Sequence, residues 1–402
     1  MKTLDDAPFL DMFSTAFQDD PVPVMEGLRR TSWLVRTPIG ALAIGREQVQ
    51  VLLADRRLRS SVPDIVRMQG VTEGALAERM GTSILALEGE EHTRLRKLVS
   101  RAFTPRAVDV HRDEMRATLH ALVDPLVERR RCEFVSEVGD HYPIEVMCHL
   151  LGVPREDHAD FARWNRAITW ALSFQLGAHV DEVEWGLTQM GDYVAALTED
   201  RRSHPRGDLV TALVQASEGD DRLTDEEVFG LIAALLFAGF DTTRNQLGLA
   251  MWLFAEHPEQ WDLLRADPSL APQAVEEVMR FRGAVSAAPR MVVEELELDG
   301  YVVPAGTMLS LSTSAANHDP ATYVEPRTFD ITEPREPHFT FGGGPHYCLG
   351  ASLARAEMQE ALPILAAAMP DLALDGEPVW RPPFGIFGPE ELPLRFGAPT
   401  TS

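Results

Sequence analysis

Residues 341–350 read Phe341-Gly342-Gly343-Gly344-Pro345-His346-Tyr347-Cys348-Leu349-Gly350, and ASLARAEMQEALPILAAAM follows directly as residues 351–369. The second stretch has the apolar spacing of an amphipathic helix. The first is a loop whose glycines permit positive φ and close backbone approach around one cysteine. Such a loop can aim backbone N–H groups at the sulfur. The positive end of the following helix favours thiolate over thiol at that point. The bland alternative, an inert buried cysteine, requires the whole ten-residue pattern to arise by accident. Cys132 and Cys148 each sit in an apolar helical pattern and read as core.

Around that loop the composition is globular: 402 residues, 45% hydrophobic and 25% charged. A chain this long buries enough core to fold without disulfides. Three widely separated cysteines argue against a disulfide framework and for a reducing compartment. No CxxC pair exists, which disfavours structural zinc and iron–sulfur sites. A net charge of −25 disfavours nucleic acid and anionic membranes as partners. The N-terminus, MKTLDDAPFLDMFSTAFQDDPVPV, has no basic segment followed by an apolar run. The longest apolar stretch, Leu231 to Phe240, falls well short of the roughly 18 residues needed to span a bilayer. The expectation is a cytoplasmic protein with no membrane anchor.

Apolar positions three and four apart predict helices over 107–130, 155–201 and 225–256. The last is the best marked. Thr224 and Glu227 form a capping-box pattern at its start, and Pro258 ends it. At 1.5 Å per residue it is about 48 Å long and must cross the molecule. Its centre, Leu235-Leu236-Phe237-Ala238-Gly239-Phe240-Asp241-Thr242-Thr243, interrupts an apolar helix with residues that weaken it. Short alternating pieces predict strands over 290–312 and 33–45, the latter followed by a helix at 46–54. Residues 380–396 read as a hairpin ending in LPLRF. The fold class is mainly α with a minor β lobe.

The cysteine loop fits the FGxGxHxCxG signature of the cytochrome P450 superfamily at every fixed position, and the chain resembles that family over nearly its whole length. AGFDTT at 238–243 resembles the oxygen-activation motif of its long central helix. Glu277-Val278-Met279-Arg280 resembles its ExxR pair. GEEHTRLRKLVSRAFTP at 89–105 resembles its haem-propionate helix, and PAGTMLSLSTSAANHDP at 304–320 its strand and turn before the cysteine loop. The resemblance implies one domain over 1–402, a triangular helix-rich prism with the central helix over the haem. It places a small β-rich lobe at roughly 25–60 and 285–335.

The same resemblance implies a soluble bacterial-type monooxygenase carrying haem b, with Cys348 as the axial thiolate ligand to iron. His92 and Arg96, four apart on one helix face, would hold a propionate together with Arg290 and His346. Phe103, Ala238, Gly239, Thr242, Ala287, Phe341, Gly342, Leu349 and Gly350 would complete the haem contacts. Asp241 is the implied acid that relays protons from solvent, and Thr242 the alcohol that hydrogen-bonds the bound peroxide. Ala238 and Gly239 would leave room for dioxygen. Asn245 either orders a relay water or serves the helix surface. Glu277 and Arg280, three apart, would lock the fold without doing chemistry. Relatives often add a third arginine, and here Arg327 and Arg335 both stand near its place.

The resemblance also implies an apolar pocket. Its lining would be Val62, Ile65, Val66, Met68, Leu76, Met80 and Leu85; Trp164, Ile168, Leu172 and Phe174; Ala234, Leu235 and Ala238; and Val285, Ser286, Ala287 and Phe387. An apolar small molecule of moderate size is expected. Residues 94–116 hold seven Lys or Arg against three acids, a basic island in an acidic chain. Arg94, Lys97, Arg101 and Arg112 would dock an acidic iron–sulfur ferredoxin, itself reduced by an NAD(P)H-dependent reductase. A helix face that balances nearby acids is the alternative. A monomer is expected. The intact Asp241–Thr242 pair argues against a peroxide-driven variant and against a haem-binding sensor without turnover.

Overall fold

The computed structural model describes residues 1–172, 175–218, 221–383 and 385–399. The central helix runs Asp225–Glu256, 32 residues. Its start is fixed reciprocally: Thr224 Oγ1 accepts from Glu227 N–H at 3.2 Å, and Glu227 accepts from Thr224 N–H at 2.8 Å. It packs against helices Tyr142–Leu151 and Val180–Ser203. Together with Arg112–Val127, Ala271–Phe281 and Ala351–Ala368 they bury the main apolar core.

Two predicted helices are broken. Residues 107–130 divide into Pro105–Asp109 and Arg112–Val127, the second restarting with Asp113 and Glu114 in its first turn, where the helix dipole favours acids. Residues 155–201 divide into His158–Ile168 and Val180–Ser203, joined through short 3-10 turns. One continuous rod would leave both apolar stripes uncovered; two helices bury them against each other. Gly186 allows the close approach, since a Cβ there would lie 2.9 Å from the Trp164 carbonyl oxygen. Trp170 stacks on His179 across the break, with ring centroids 4.0 Å apart.

The larger sheet has five strands in the order Leu34–Thr37, Gly40–Ala43, Met308–Ser312, Ala287–Val292, Leu58–Ser60. Strands Leu296–Leu298 and Tyr301–Val303 pair beside it and take up Lys2–Thr3 from the N-terminus. The β lobe is narrower than expected: residues 313–335 carry a short helix, Thr313–Asn317, and no strand. The predicted C-terminal hairpin also needs correction. Val379–Trp380 pairs with Pro389–Glu391, but Pro393–Arg395 leaves to join Ala373–Leu374 and Arg131–Glu133. Leu392 and Leu394 are buried by that second pairing, which a hairpin alone could not do. Among the described residues no helix is long and apolar enough to cross a membrane.

Candidate functional site

Positive φ values build the cysteine loop, +69° at Gly342 and +63° at Gly344. A Cβ on Gly344 would lie 2.2 Å from the Leu53 carbonyl oxygen, so only glycine passes there. Cys348 N–H donates to Phe341 O at 2.9 Å, closing the loop ahead of the helix that starts at Ala351. The Cys348 side chain is accessible, yet burial by surrounding protein pushes its thiol up. A thiol with both properties lines an interior cleft and not the outer surface. Gly350 N–H, Arg96 and Arg355 pull the other way without prevailing. The helix start thus acts in the expected direction, toward thiolate, but burial outweighs it. Coordination to a metal ion removes the proton outright. Cys132, pushed up to about 12 by burial, and Cys148, also raised by burial, are core.

The four expected propionate residues converge. The His92 and His346 rings lie 4.4 Å apart, and Arg96 reaches the Tyr347 carbonyl beside them. Burial, then the charges of His346 and Arg96, bring His92 down to about 4, so it is a neutral donor near pH 7. Its Nε2 is buried without a partner among the described residues. Arg290, also desolvated, lies near Glu88. Glu88 was missed in the sequence, although it sits four residues before His92. It accepts from Ser60 N–H at 2.6 Å and meets His346 Nε2 at 3.0 Å. Burial raises Glu88, but these hydrogen bonds leave it net lowered. Arg290 and the two imidazoles thus face one protein carboxylate, with Arg96 beside the imidazoles. An orphaned donor and an excess of cations near an accessible sulfur fit a haem with two propionates. Phe103 is buried in the main core, and Phe341 packs under Arg355, 4.5 Å from the ring centroid.

On the central helix, Thr242 Oγ1 donates to Ala238 O at 2.5 Å. Asp241 is nearly buried and is held by Arg381 Nη1, 2.9 and 2.8 Å from its two oxygens. Asn245 Nδ2 donates to Asp241 Oδ1 at 3.1 Å and to Asp241 O at 2.7 Å, so Asn245 orders the acid itself and is fully buried. A Cβ on Gly239 would make ordinary van der Waals contact with Met147, 3.4 Å from its sulfur. The central helix also packs on the cysteine helix, where Thr243 and Glu357 are both buried. Burial pushes Glu357 up to about 8.

Glu277 and Arg280 form a buried bidentate pair at 2.7 and 2.8 Å. Arg280 also donates to Asn317 O, Pro326 O and Thr328 O, which engages every guanidinium N–H. The third arginine is Arg335, 3.6 Å from Glu277 and bonded to Val324 O and Thr328 O. A second pair, Glu276–Arg355, ties the same helix to the cysteine helix at 2.6 and 3.0 Å. Burial raises Glu276, but His338 and Arg355 bring it down to about 2.

Of the expected pocket residues, Leu85, Leu235 and Ala238 pack half-buried against the main core, and Ala234 is buried. Val62 and Ile65 are half-buried on the helix Val62–Met68. Met68 is instead exposed. Val285 bridges to Ile386, and Phe387 N–H donates to Ala284 O at 2.8 Å, joining two pocket segments. Ser286 and Ala287 are half-buried on the same run. Phe174 and the Leu172 side chain lie outside the described residues. Within the basic island, Arg94 pairs with Glu227, and Arg112 with Asp109 and Glu360. Lys97 and Arg101 present exposed side chains.

A sequence model for the family described as "Cytochrome P450" matches residues 187–365. The chain is 39% identical over 398 residues to luteothin monooxygenase of Streptomyces thioluteus, covering 98% of this chain and 97% of that protein. It is 36% identical to cytochrome P450 monooxygenase PikC of Streptomyces venezuelae, covering 97% and 94%. Among solved structures, CalO2 superposes with a TM-score of 0.90 at 28% identity, over 97% of this chain and 99% of that one. Ligand-free P450 monooxygenase TamI gives 0.85 at 34%, over 98% and 95%.

Proposed function

The chain belongs to the cytochrome P450 family and is a monooxygenase, and from that premise we propose that it oxygenates an apolar small molecule at a C–H bond, by hydroxylation or epoxidation. Cys348 would be the axial ligand of a b-type haem, with His92, Arg96, Arg290 and His346 on the propionates. When bound, that group supplies the binding and reductive activation of dioxygen. The chain's own part is proton handling and positioning. Asp241 takes up a proton at its carboxylate and passes it toward the Thr242 hydroxyl. That hydroxyl already donates to Ala238 O, so its lone pairs are left to accept. Val285, Phe387, Leu85 and Leu235 exclude water and hold the substrate.

The observation that carries this reading is the accessible Cys348 sulfur beside a cluster of cations with an orphaned histidine nitrogen. The substrate is read from the pocket's apolar lining alone, because relatives at similar identity act on molecules as different as luteothin, nocardicin C and methyl-branched lipids. Electrons would come from a separate acidic ferredoxin and its NAD(P)H-dependent reductase, docking at Lys97 and Arg101. Haem-loaded protein with dioxygen and a ferredoxin system should form product from a ligand that shifts the haem absorption band. Thr242→Ala should keep that shift and divert most electrons from product to peroxide. Full coupling in Thr242→Ala would reject the assignment.

A further inference from the structure

Asp241 and Thr242 are adjacent in sequence but do not touch. Neighbouring residues on a helix point about 100° apart, and the two side chains have different partners: Ala238 O for the alcohol, Arg381 and Asn245 for the acid. The acid's chief partner comes from 140 residues away, on the C-terminal hairpin. That hairpin is fitted flush to the central helix. A Cβ on Gly388 would lie 2.4 Å from Asn245 Oδ1, and one on Gly248 would lie 2.7 Å from Pro389 Cγ. Arg381 N–H donates to Gly388 O at 3.1 Å, and Trp380 stacks on Phe387 with ring centroids 5.4 Å apart. The backbone of Arg381 is therefore held, while its guanidinium reaches across to the acid.

We propose that Arg381 is the positioning residue for the relay acid, holding the Asp241 carboxylate at the hairpin edge and recapturing it after each proton passes. This rests on the reading of Asp241 and Thr242 given above. Two features separate this pair from a structural one. A single nitrogen, Nη1, spans both carboxylate oxygens, where Arg280 engages every N–H it has. The Arg381 side chain is 26% exposed against 6% for Asp241, so water reaches the pair from the arginine's side. Such a contact opens readily. The carboxylate gains one proton from water at that edge, loses its charge and with it the hold of Arg381, and turns. It then gives the same proton up on the Thr242 side, and the restored carboxylate pairs with Arg381 again. One proton enters and one leaves, and no electrons move at the acid. Arg244, paired with Asp140 at 2.5 Å and bonded to Asn245 Oδ1 at 3.2 Å, fixes the far side of the acid through Asn245.

The test uses the haem-loaded full chain with its ferredoxin system and the variants Arg381→Gln, Arg381→Lys and Asp241→Asn. The substrate-induced shift of the haem band reports the pocket. The infrared carboxylate stretch that disappears in Asp241→Asn reports the acid directly. Arg381→Gln should keep ligand affinity within about twofold, shift that stretch, and lower kcat by roughly tenfold, a part of the roughly 10²–10⁴-fold that a positioned acid supplies. Its solvent deuterium isotope effect on kcat should rise, and Arg381→Lys should restore most of the rate. An unshifted stretch, or unchanged kcat and isotope effect in Arg381→Gln, overturns the proposal provided Asp241→Asn is impaired. Lost ligand affinity with an unchanged isotope effect also overturns it, since the hairpin contact is then only a strap. Unimpaired Asp241→Asn would instead remove the relay reading itself.

Discussion

Two guanidinium–carboxylate pairs in this molecule are built from the same groups and put to opposite use. Glu277 and Arg280 are three residues apart on one helix, and each side chain is 1% exposed. Glu277 is further held by Asp330 N–H at 3.2 Å and by Arg335. Asp241 and Arg381 meet from 140 residues apart in the chain, and one of them touches solvent. A buried pair with every donor engaged has no cheap way to open, whereas a half-wet pair sharing one nitrogen does. The first can only be structure. The second can take part in a cycle. Paired charge alone says nothing about role; the number of satisfied N–H groups and access to water decide it.

The largest expected effect comes from breaking the closed pair. Arg280→Ala strands a buried carboxylate and should cost about 3–5 kcal/mol, read as loss of soluble folded protein or a large fall in denaturation midpoint. Arg280→Lys should rescue little, because three donors cannot replace a planar fork of five. Next is Glu357, buried on the cysteine helix. Its ordinary value is 4.5 and burial raises it to about 8. The folded state holds a proton that the unfolded chain loses between those values. Its contribution is therefore full below pH 4.5 and is lost as pH rises through about 8. Glu357→Gln should gain on wild type over that window, by an amount on the order of a few kcal/mol. Parallel midpoint curves for the two proteins would contradict it.

Arg381→Gln should change stability by no more than about 1 kcal/mol, as for partly exposed pairs. A loss comparable with that of Arg280→Ala would erase the contrast between the pairs. The smallest effect concerns the surface. Replacing Lys97 and Arg101 together with Gln should slow reduction by ferredoxin severalfold and flatten its salt dependence, with no change in midpoint. Unchanged reduction kinetics would remove that docking face.

The local parts of this picture were legible in the sequence. Thr224 and Glu227 marked the central helix, the glycines marked the Cys348 loop, and the spacing of Glu277 and Arg280 placed them on one face. What was hidden depends on distant chain. Nothing near Asp241 announces Arg381, because their meeting is set by where the C-terminal hairpin lands. Arg335 rather than Arg327 completes the proximal network for the same reason. The break at 169–179 was invisible to periodicity, since both flanking segments keep helical spacing and only their mutual packing requires a turn. The strand Pro393–Arg395 was read with its sequence neighbour, although its partners lie at 131–133 and 373–374. Glu88 stood in plain view four residues before His92, but an acid in a basic cluster carries no sequence signal of its own.

The most direct test of the account is the absorption spectrum of the reduced, haem-loaded protein under carbon monoxide, recorded beside Cys348→His. Sulfur ligation from Cys348 predicts the red-shifted band of a thiolate adduct in the native chain and its loss in the variant. A native spectrum like that of a histidine-ligated globin, or the same band in both proteins, would contradict it.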